Sequence, residues 1–293
     1  MPFLAFIYEV TFMLYSSFFH IPTIGTATEK KIWDCGICSM DDFLNSPPDF
    51  ISKKKKEFIF DHIKLSKEKI QINDPVYFIE NLPPKEHWRI FNQYRNSSVY
   101  LDIETTGLDF YHSHITSIAI YDGKKIKYYV YGKNLNDFIN DIKDYKVIIT
   151  YNGKSFDIPF IEKFFNISLN HAHLDLRYIL KSLGFSGGLK SCERQFGIER
   201  KDLLSELDGI FAVELWNDYL RRKNIKALET LLSYNIEDVL NLEHLMVEAY
   251  NKKILETPAR LFPLLHKEKP ANPFKIDYST MEYVQKVVSI NWC

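Results

Sequence analysis

The sequence predicts an α/β domain, a central sheet flanked by helices, preceded by a small α-helical N-terminal region. Three observations carry this expectation. From Ser98 onward, short β-branched and aromatic runs alternate with stretches of helical periodicity. Before Ser98 the apolar spacing is helical, and Pro47, Pro48, Pro75, Pro83 and Pro84 punctuate it. The 293 residues are 46% apolar and 15% aromatic, enough to bury a substantial core. At roughly 150 residues per domain, about two domains are expected. This composition excludes a disordered chain, a collagen-like chain and a disulfide scaffold.

From the N-terminus, Met1 to Phe19 are mostly apolar, but Glu9 interrupts the run. No basic n-region or small-residue cleavage site accompanies it, which argues against a signal peptide and a membrane span. Residues 1–12 read as an upstream extension, with the start at Met13. Residues 18–46 read as two short helices around a tight turn at Ile21-Pro22-Thr23-Ile24-Gly25. Thr26 and Thr28 are candidate caps, Gly36 is the stop signal, and Ser39 with Asp42 approaches a capping box. Residues 47–97 form a helical connector that opens on a lysine run, Lys53 to Lys56, read as a solvated helix face. Glu86-His87-Trp88-Arg89 is expected to dock the connector onto the following domain.

In the next segment, 98–250, strands are expected at Val99–Ile103, Ile115–Tyr121, Lys125–Tyr131 and Val147–Tyr151, with a fifth ending near Leu176. Helices are expected over 135–142 and 158–165, and several more run to about Tyr250. Residues 251–293, with Pro258, Pro263, Pro270 and Pro273, read as an irregular tail.

Charge and cysteine content narrow the setting. Lys plus Arg number 37 against 38 Asp plus Glu, a net charge of −1. That balance neither predicts nor excludes a nucleic-acid partner, and any basic surface is a local patch. Four cysteines, of which Cys35 and Cys38 have zinc-ligand spacing without a second pair, read as reduced thiols of a cytoplasmic protein.

Four acids carry the chemistry. Asp102 and Glu104 are two apart at the end of the first strand, so period-two geometry turns both carboxylates to one face. Thr105-Thr106-Gly107 follows as a turn. Asp157 lies in Tyr151-Asn152-Gly153-Lys154-Ser155-Phe156-Asp157, between the fourth strand and its helix. Asp238 lies on a helix where Leu231, Leu242 and Leu245 fall within about 40° of it, so its carboxylate points from the apolar face. Tyr234 is one turn earlier on the same side. Glu237 and Glu243 fall off that stripe and read as solvated. An inward carboxylate needs a cation, an arginine or hydrogen bonds.

In order, the motifs Asp102-Ile103-Glu104-Thr105-Thr106-Gly107, Asn152 to Phe156-Asp157, and Tyr234-Asn235-Ile236-Glu237-Asp238 resemble the DEDD exonuclease superfamily of the ribonuclease H-like fold, in its tyrosine-type branch. Gly187-Gly188-Leu189-Lys190-Ser191, Glu193, Gly197-Ile198 and the Tyr-Asn-x-x-Asp-Val helix resemble the YprB-type family more closely. The hairpin-like segment 13–46 resembles a helix-hairpin-helix module, with Thr23 where a glycine is expected. The resemblance spans roughly 13–250 and is strongest over 98–250.

It implies a mixed five-stranded sheet with helices on both sides and a site gathering Asp102, Glu104, Asp157 and Asp238. Four carboxylates so close repel by about 1 kcal/mol per pair even at water's dielectric. Either their pKa values rise or divalent cations bind, and hard oxygen ligands favour Mg²⁺ or Mn²⁺. Two such ions about 4 Å apart suit in-line phosphodiester hydrolysis. Tyr234 is expected to position the attacking water. Thr105, Thr106 and Gly107 are candidate contacts to the terminal nucleotide. Asn152 is a candidate contact to sugar or phosphate, Phe156 a packing residue beneath the site, and Lys190 a phosphate contact. Asp175 is expected to support the site or cap a helix.

The leading expectation is therefore a metal-dependent 3′→5′ exonuclease on DNA or RNA. The alternatives are a nucleic-acid-binding protein with an inactive nuclease fold and a structure-specific endonuclease. The sequence has no Walker-type motif, so no intrinsic ATP use is expected, and no membrane partner is expected.

Overall fold

The computed structural model describes residues 13–198, 200 and 209–291. The expected extension over 1–12 lies outside the described residues. The chain divides into two compact units.

The first unit runs to Asn96 and takes in Tyr178–Gly184 and Met246–His266. Its helices include Thr26–Asp34, Met40–Asn45, Lys53–Gln71 and Val76–Asn81. Phe18, Ile24, Ile32, Phe43, Ile59 and Ile63 build one apolar core. The turn at Ile21–Gly25 precedes the two short helices instead of separating them, and a 3-10 turn at Met13–Ser16 stands before it. Gly25 holds the N-cap position of the Thr26–Asp34 helix, which no side chain caps, so the expected threonine caps are corrected. Ser39 Oγ accepts from Asp42 N, and Asp42 Oδ2 accepts from Cys38 N, one residue earlier than a capping box requires. The Glu86–Arg89 segment is buried and ties back to Glu29 through Arg89. Trp88 and Phe91 meet Tyr250, whose helix end is assigned to this unit.

The second unit holds a mixed five-stranded sheet flanked by helices. Its strands are β1 (Ser98–Thr105), β2 (Ile115–Tyr121), β3 (Ile126–Val130), β4 (Val147–Thr150) and β5 (Ala172–Asp175). The order is β3-β2-β1-β4-β5. β1 pairs β2 and β2 pairs β3 antiparallel, whereas β1 pairs β4 and β4 pairs β5 in parallel. β2 and β4 are runs rich in β-branched residues and buried along their whole length, as strands covered on both faces require. Because β1, β4 and β5 run parallel, their C-terminal ends open on one edge of the sheet, where ligands of open α/β sheets bind.

Two further features differ from expectation. Residues 135–144 form a single short helix, Phe138–Asp141, between 3-10 turns. The tail is irregular only in part, because Tyr278–Asn291 is helical. Met281 and Val284 of that helix pack against Leu215 and Trp216 of the Gly209–Arg222 helix, and this apolar pair overrides the proline-rich approach to it.

Candidate active site

β1 presents Asp102 and Glu104 opposite Ala119 and Ser117 of β2. The alternation leaves Leu101 and Ile103 in the core and gives both acids partial exposure on the opposite face. The ladder shifts register between Glu104 and Thr105, a bulge that ends regular pairing just past the acids. The 30-residue helix Ile225–Ile254 brings Asp238 against them. One carboxylate oxygen each of Asp102, Glu104 and Asp238 lie within 4.8 Å of one another.

Asp157 stands at the start of the Asp157–Phe165 helix and is buried. It is not a member of that three-oxygen group; its Oδ1 accepts from Ile103 N at 3.3 Å, which fixes it beside β1. The loop before it is held from β5. Asp175 accepts from Asn152 N at 2.8 Å and Lys154 N at 3.1 Å, and from Arg177 N at the next helix start. Gly153 is required in this loop because a Cβ there would collide with the Thr150 side chain.

The electrostatics follow from like charges drawn out of water. Burial first, then the charges of Asp238, Asp157 and Glu104, push Asp102 well above the ordinary carboxylate range, while Asn235 opposes the shift. Burial and the charges of Asp238 and Asp157 push Glu104 up to about 8, with Lys190 opposing. Burial pushes Asp157 up to about 7 against hydrogen bonds from backbone N–H groups. Asp238 is also raised by burial, although Arg200 lowers it. Among the described residues neither Asp102 nor Glu104 has an ion-pair partner.

The tyrosine and the lysine meet at this cluster. Tyr234 is 8% exposed. Its phenol is raised by burial first and then by Asp238 and Glu104. Lys190 Nζ lies 4.9 Å from the Tyr234 ring centroid.

Other expected contacts are turned elsewhere. Thr105 Oγ1 donates to Gly107 O at 2.7 Å, and Thr106 Oγ1 accepts from His114 N at 3.0 Å, so these hydroxyls close the loop that follows β1. The Asn152 side-chain oxygen accepts from Arg177 Nη1 and from Ser155 Oγ. Phe156 packs with Phe110 and Phe160. Glu243 is 5% exposed and not solvated, because the long helix is covered on nearly every side.

Two residues were missed as contributors. Asn235 donates to Asp102 Oδ2 at 2.6 Å and accepts from Ser117 Oγ at 3.0 Å. Its place three residues before Asp238 was the available signal. Arg200 donates to Asp238 Oδ1 and grips Glu193 with Nε at 2.5 Å and Nη2 at 2.6 Å. No local pattern announces that arginine, since its acceptor lies 38 residues downstream.

A family model described as the RNase H superfamily matches residues 99–250. Among solved structures, the family B DNA polymerase from the hyperthermophilic archaeon Pyrobaculum calidifontis is similar, with a TM-score of 0.40 and 17% identity. That likeness covers 54% of this chain and 24% of the polymerase, so the chain spans well under half the polymerase's length. No curated protein matches the chain. With its sheet order, its flanking helices and a family match over more than half its length, this chain belongs to the RNase H superfamily.

Proposed function

We propose that the chain is a metal-dependent 3′→5′ exonuclease acting on DNA or RNA, in the tyrosine-type DEDD branch and of the YprB-type subtype. The observation that carries this reading is the approach of Asp102, Glu104 and Asp238 to within 4.8 Å, at the C-terminal edge of the parallel strands. Among the described residues neither Asp102 nor Glu104 makes an ion pair, although the charge of Lys190 acts on Glu104. A cluster of hard oxygen donors that raise one another's pKa fits two ions of Mg²⁺ or Mn²⁺ held by Asp102, Glu104, Asp157 and Asp238. Such ions, when bound, supply Lewis-acid stabilisation of charge at phosphorus and lower the pKa of water.

The chain's own residues supply orientation. Tyr234, its phenol kept protonated by burial and by the adjacent acids, orients a water through its hydroxyl and does not act as a base. Lys190, which offsets the charge of Glu104 and Asp238, offers a cation to a substrate phosphate. Thr105, Thr106 and Gly107 shape the floor under the terminal nucleotide through the loop they close. Asn152 serves through the loop geometry it adopts at φ 64. Residues 13–46 act as a helix-hairpin-helix-like docking module in which the 3-10 turn Met13–Ser16 stands in place of the first helix before the hairpin turn. In support, Thr23 takes φ 75, the left-handed conformation a glycine adopts freely.

The test is a panel of single- and double-stranded DNA and RNA labelled at the 5′ end and incubated with Mn²⁺. Wild-type protein shortens them stepwise from the 3′ end and releases nucleoside monophosphates, and Asp102→Asn abolishes this. Release no greater than that of the Asp102→Asn/Asp238→Asn double variant overturns the reading. Cleavage of a circular single strand assigns an endonuclease instead. Salt-sensitive binding without cleavage assigns an inactive fold.

A further inference from the structure

Asp238 faces the acidic cluster from a helix, and what sets its orientation is a chain of polar groups that is buried at Arg200, Glu193 and Asn241 and reaches the surface at Lys269. The Arg200 side chain is 3% exposed. It forks onto both oxygens of Glu193, itself 1% exposed, and donates from Nη2 to Asp238 Oδ1. Glu193 Oε1 also accepts from Asn241 Nδ2 at 3.0 Å. Asn241 Oδ1 in turn accepts from Lys269 Nζ at 3.0 Å, which reaches Glu237 Oε1 at 2.5 Å. Each group in this relay is fixed by the one behind it. A bidentate guanidinium–carboxylate pair is the stiffest link available to side chains.

The charges have a consequence. An arginine resting alone on Asp238 would neutralise one of the acids and compete with any cation bound there. Glu193 removes that penalty. Arg200 and Glu193 together carry no net charge, so their field fades quickly with distance while the hydrogen bond to Asp238 is kept. The two act on Asp238 in opposite senses, Arg200 lowering and Glu193 raising its proton affinity.

We propose that Arg200 is a positioning residue for Asp238, and that Glu193 cancels its charge so that the acidic cluster keeps its capacity for divalent cations. This rests on the nuclease reading above and names two residues that act through Asp238 without touching substrate. Residues that orient metal-ligating carboxylates typically change metal affinity or activity by about 10–100-fold when altered.

The experiment is calorimetric titration of the full-length chain with MnCl₂, paired with turnover of a 5′-labelled oligonucleotide, and circular dichroism verifies folding at the titration temperature. Glu193→Gln leaves the arginine's charge uncancelled, and the Mn²⁺ dissociation constant rises about tenfold or more. Glu193→Gln/Arg200→Gln removes both charges, so Mn²⁺ affinity returns toward wild type, while kcat stays depressed because Asp238 has lost its guide. Arg200→Lys keeps the charge without the fork, lowering kcat about tenfold with little change in Mn²⁺ affinity. An ion pair that merely stabilises the fold lowers melting temperature in all three without moving Mn²⁺ affinity, and that result overturns the proposal. So does a double variant that binds Mn²⁺ as weakly as Glu193→Gln. Should Glu193→Gln fail to fold, the charge-free double variant and Arg200→Lys still separate the outcomes, since a neutralised buried pair is commonly tolerated. Wild-type protein that binds no Mn²⁺ overturns the nuclease reading itself. Wild-type binding with unchanged variants overturns only the roles of Arg200 and Glu193.

Discussion

Glu29 in the first unit and Asp102 in the second are both carboxylates drawn out of bulk water, and their neighbours differ in sign. Glu29 accepts from Phe18 N at 2.7 Å and Phe19 N at 3.0 Å, and Arg89 reaches its two oxygens at 3.1 and 2.9 Å. Arg89 also donates to Glu86 Oε2 at 2.8 Å. Asp102 accepts one amide, from Asn235, and otherwise faces Glu104, Asp238 and Asp157. The first cluster is closed on itself: donors meet acceptors, and the cation is shared between two acids. The second holds more acid than cation: Arg200 pairs with Asp238 but is shared with Glu193, and Asp102 and Glu104 make no ion pair among the described residues. A fold tolerates such an excess where something from solution completes it, and that is why the acidic cluster, not the better-bonded one, is the candidate site.

The same kind of substitution should therefore have opposite effects in the two places. Arg89→Met strands Glu29 and Glu86 without their cation and should destabilise the protein by about 3–5 kcal/mol in urea unfolding. Adding Mn²⁺ at about a hundred times its dissociation constant should stabilise wild-type protein by about 2.7 kcal/mol, and Asp102→Asn should reduce that gain. Without metal, Asp102→Asn relieves repulsion of about 1 kcal/mol per neighbouring acid and should raise the stability at pH 8, in contrast to Arg89→Met. An Arg89→Met protein as stable as wild type, or an Asp102→Asn protein less stable than wild type at pH 8 without metal, would break the comparison.

A pH titration sharpens it. Folding raises the pKa of these carboxylates, so the folded chain binds protons more tightly than the unfolded one. The contribution of these groups to metal-free stability is thus fully present at acid pH, below the ordinary carboxylate values near 4. It declines as pH rises through about 7 for Asp157 and about 8 for Glu104. Between pH 6 and pH 9 the melting temperature of metal-free wild-type protein should fall relative to that of Asp102→Asn/Asp238→Asn, and Mn²⁺ should shrink that difference. At the small end, Ser39→Ala removes the cap that accepts from Asp42 N and should cost about 1 kcal/mol, with no effect on Mn²⁺ binding.

Much of the sheet was legible because its strands are short β-branched runs with sharp ends. Ile115–Tyr121 needed no adjustment, and the other four strands shifted at their edges. The helix at Tyr278–Asn291 was not legible: four prolines before it suggested an irregular tail, while its helical character comes with packing on Leu215 and Trp216. Glu243 misled for a related reason. Its angle on the helix implied solvent, but burial depends on which other elements lie against that face.

At the site, local pattern put forward Asp102, Glu104, Tyr234 and Asp238 as candidates, because strand and helix periodicity state which way a side chain leaves its own element, while Asp157 entered by its place in the motif order. Periodicity carries no information on distance between elements. Tertiary structure alone decided that three of the acids share a 4.8 Å neighbourhood while Asp157 is drawn to Ile103 N. It alone set Arg200 and Glu193 behind Asp238 and turned the Thr105, Thr106 and Asn152 side chains onto their own loops. Residue order dictates the local direction of each group, but charge balance is a property of groups far apart in sequence, and only the packed chain brings those groups within range of one another.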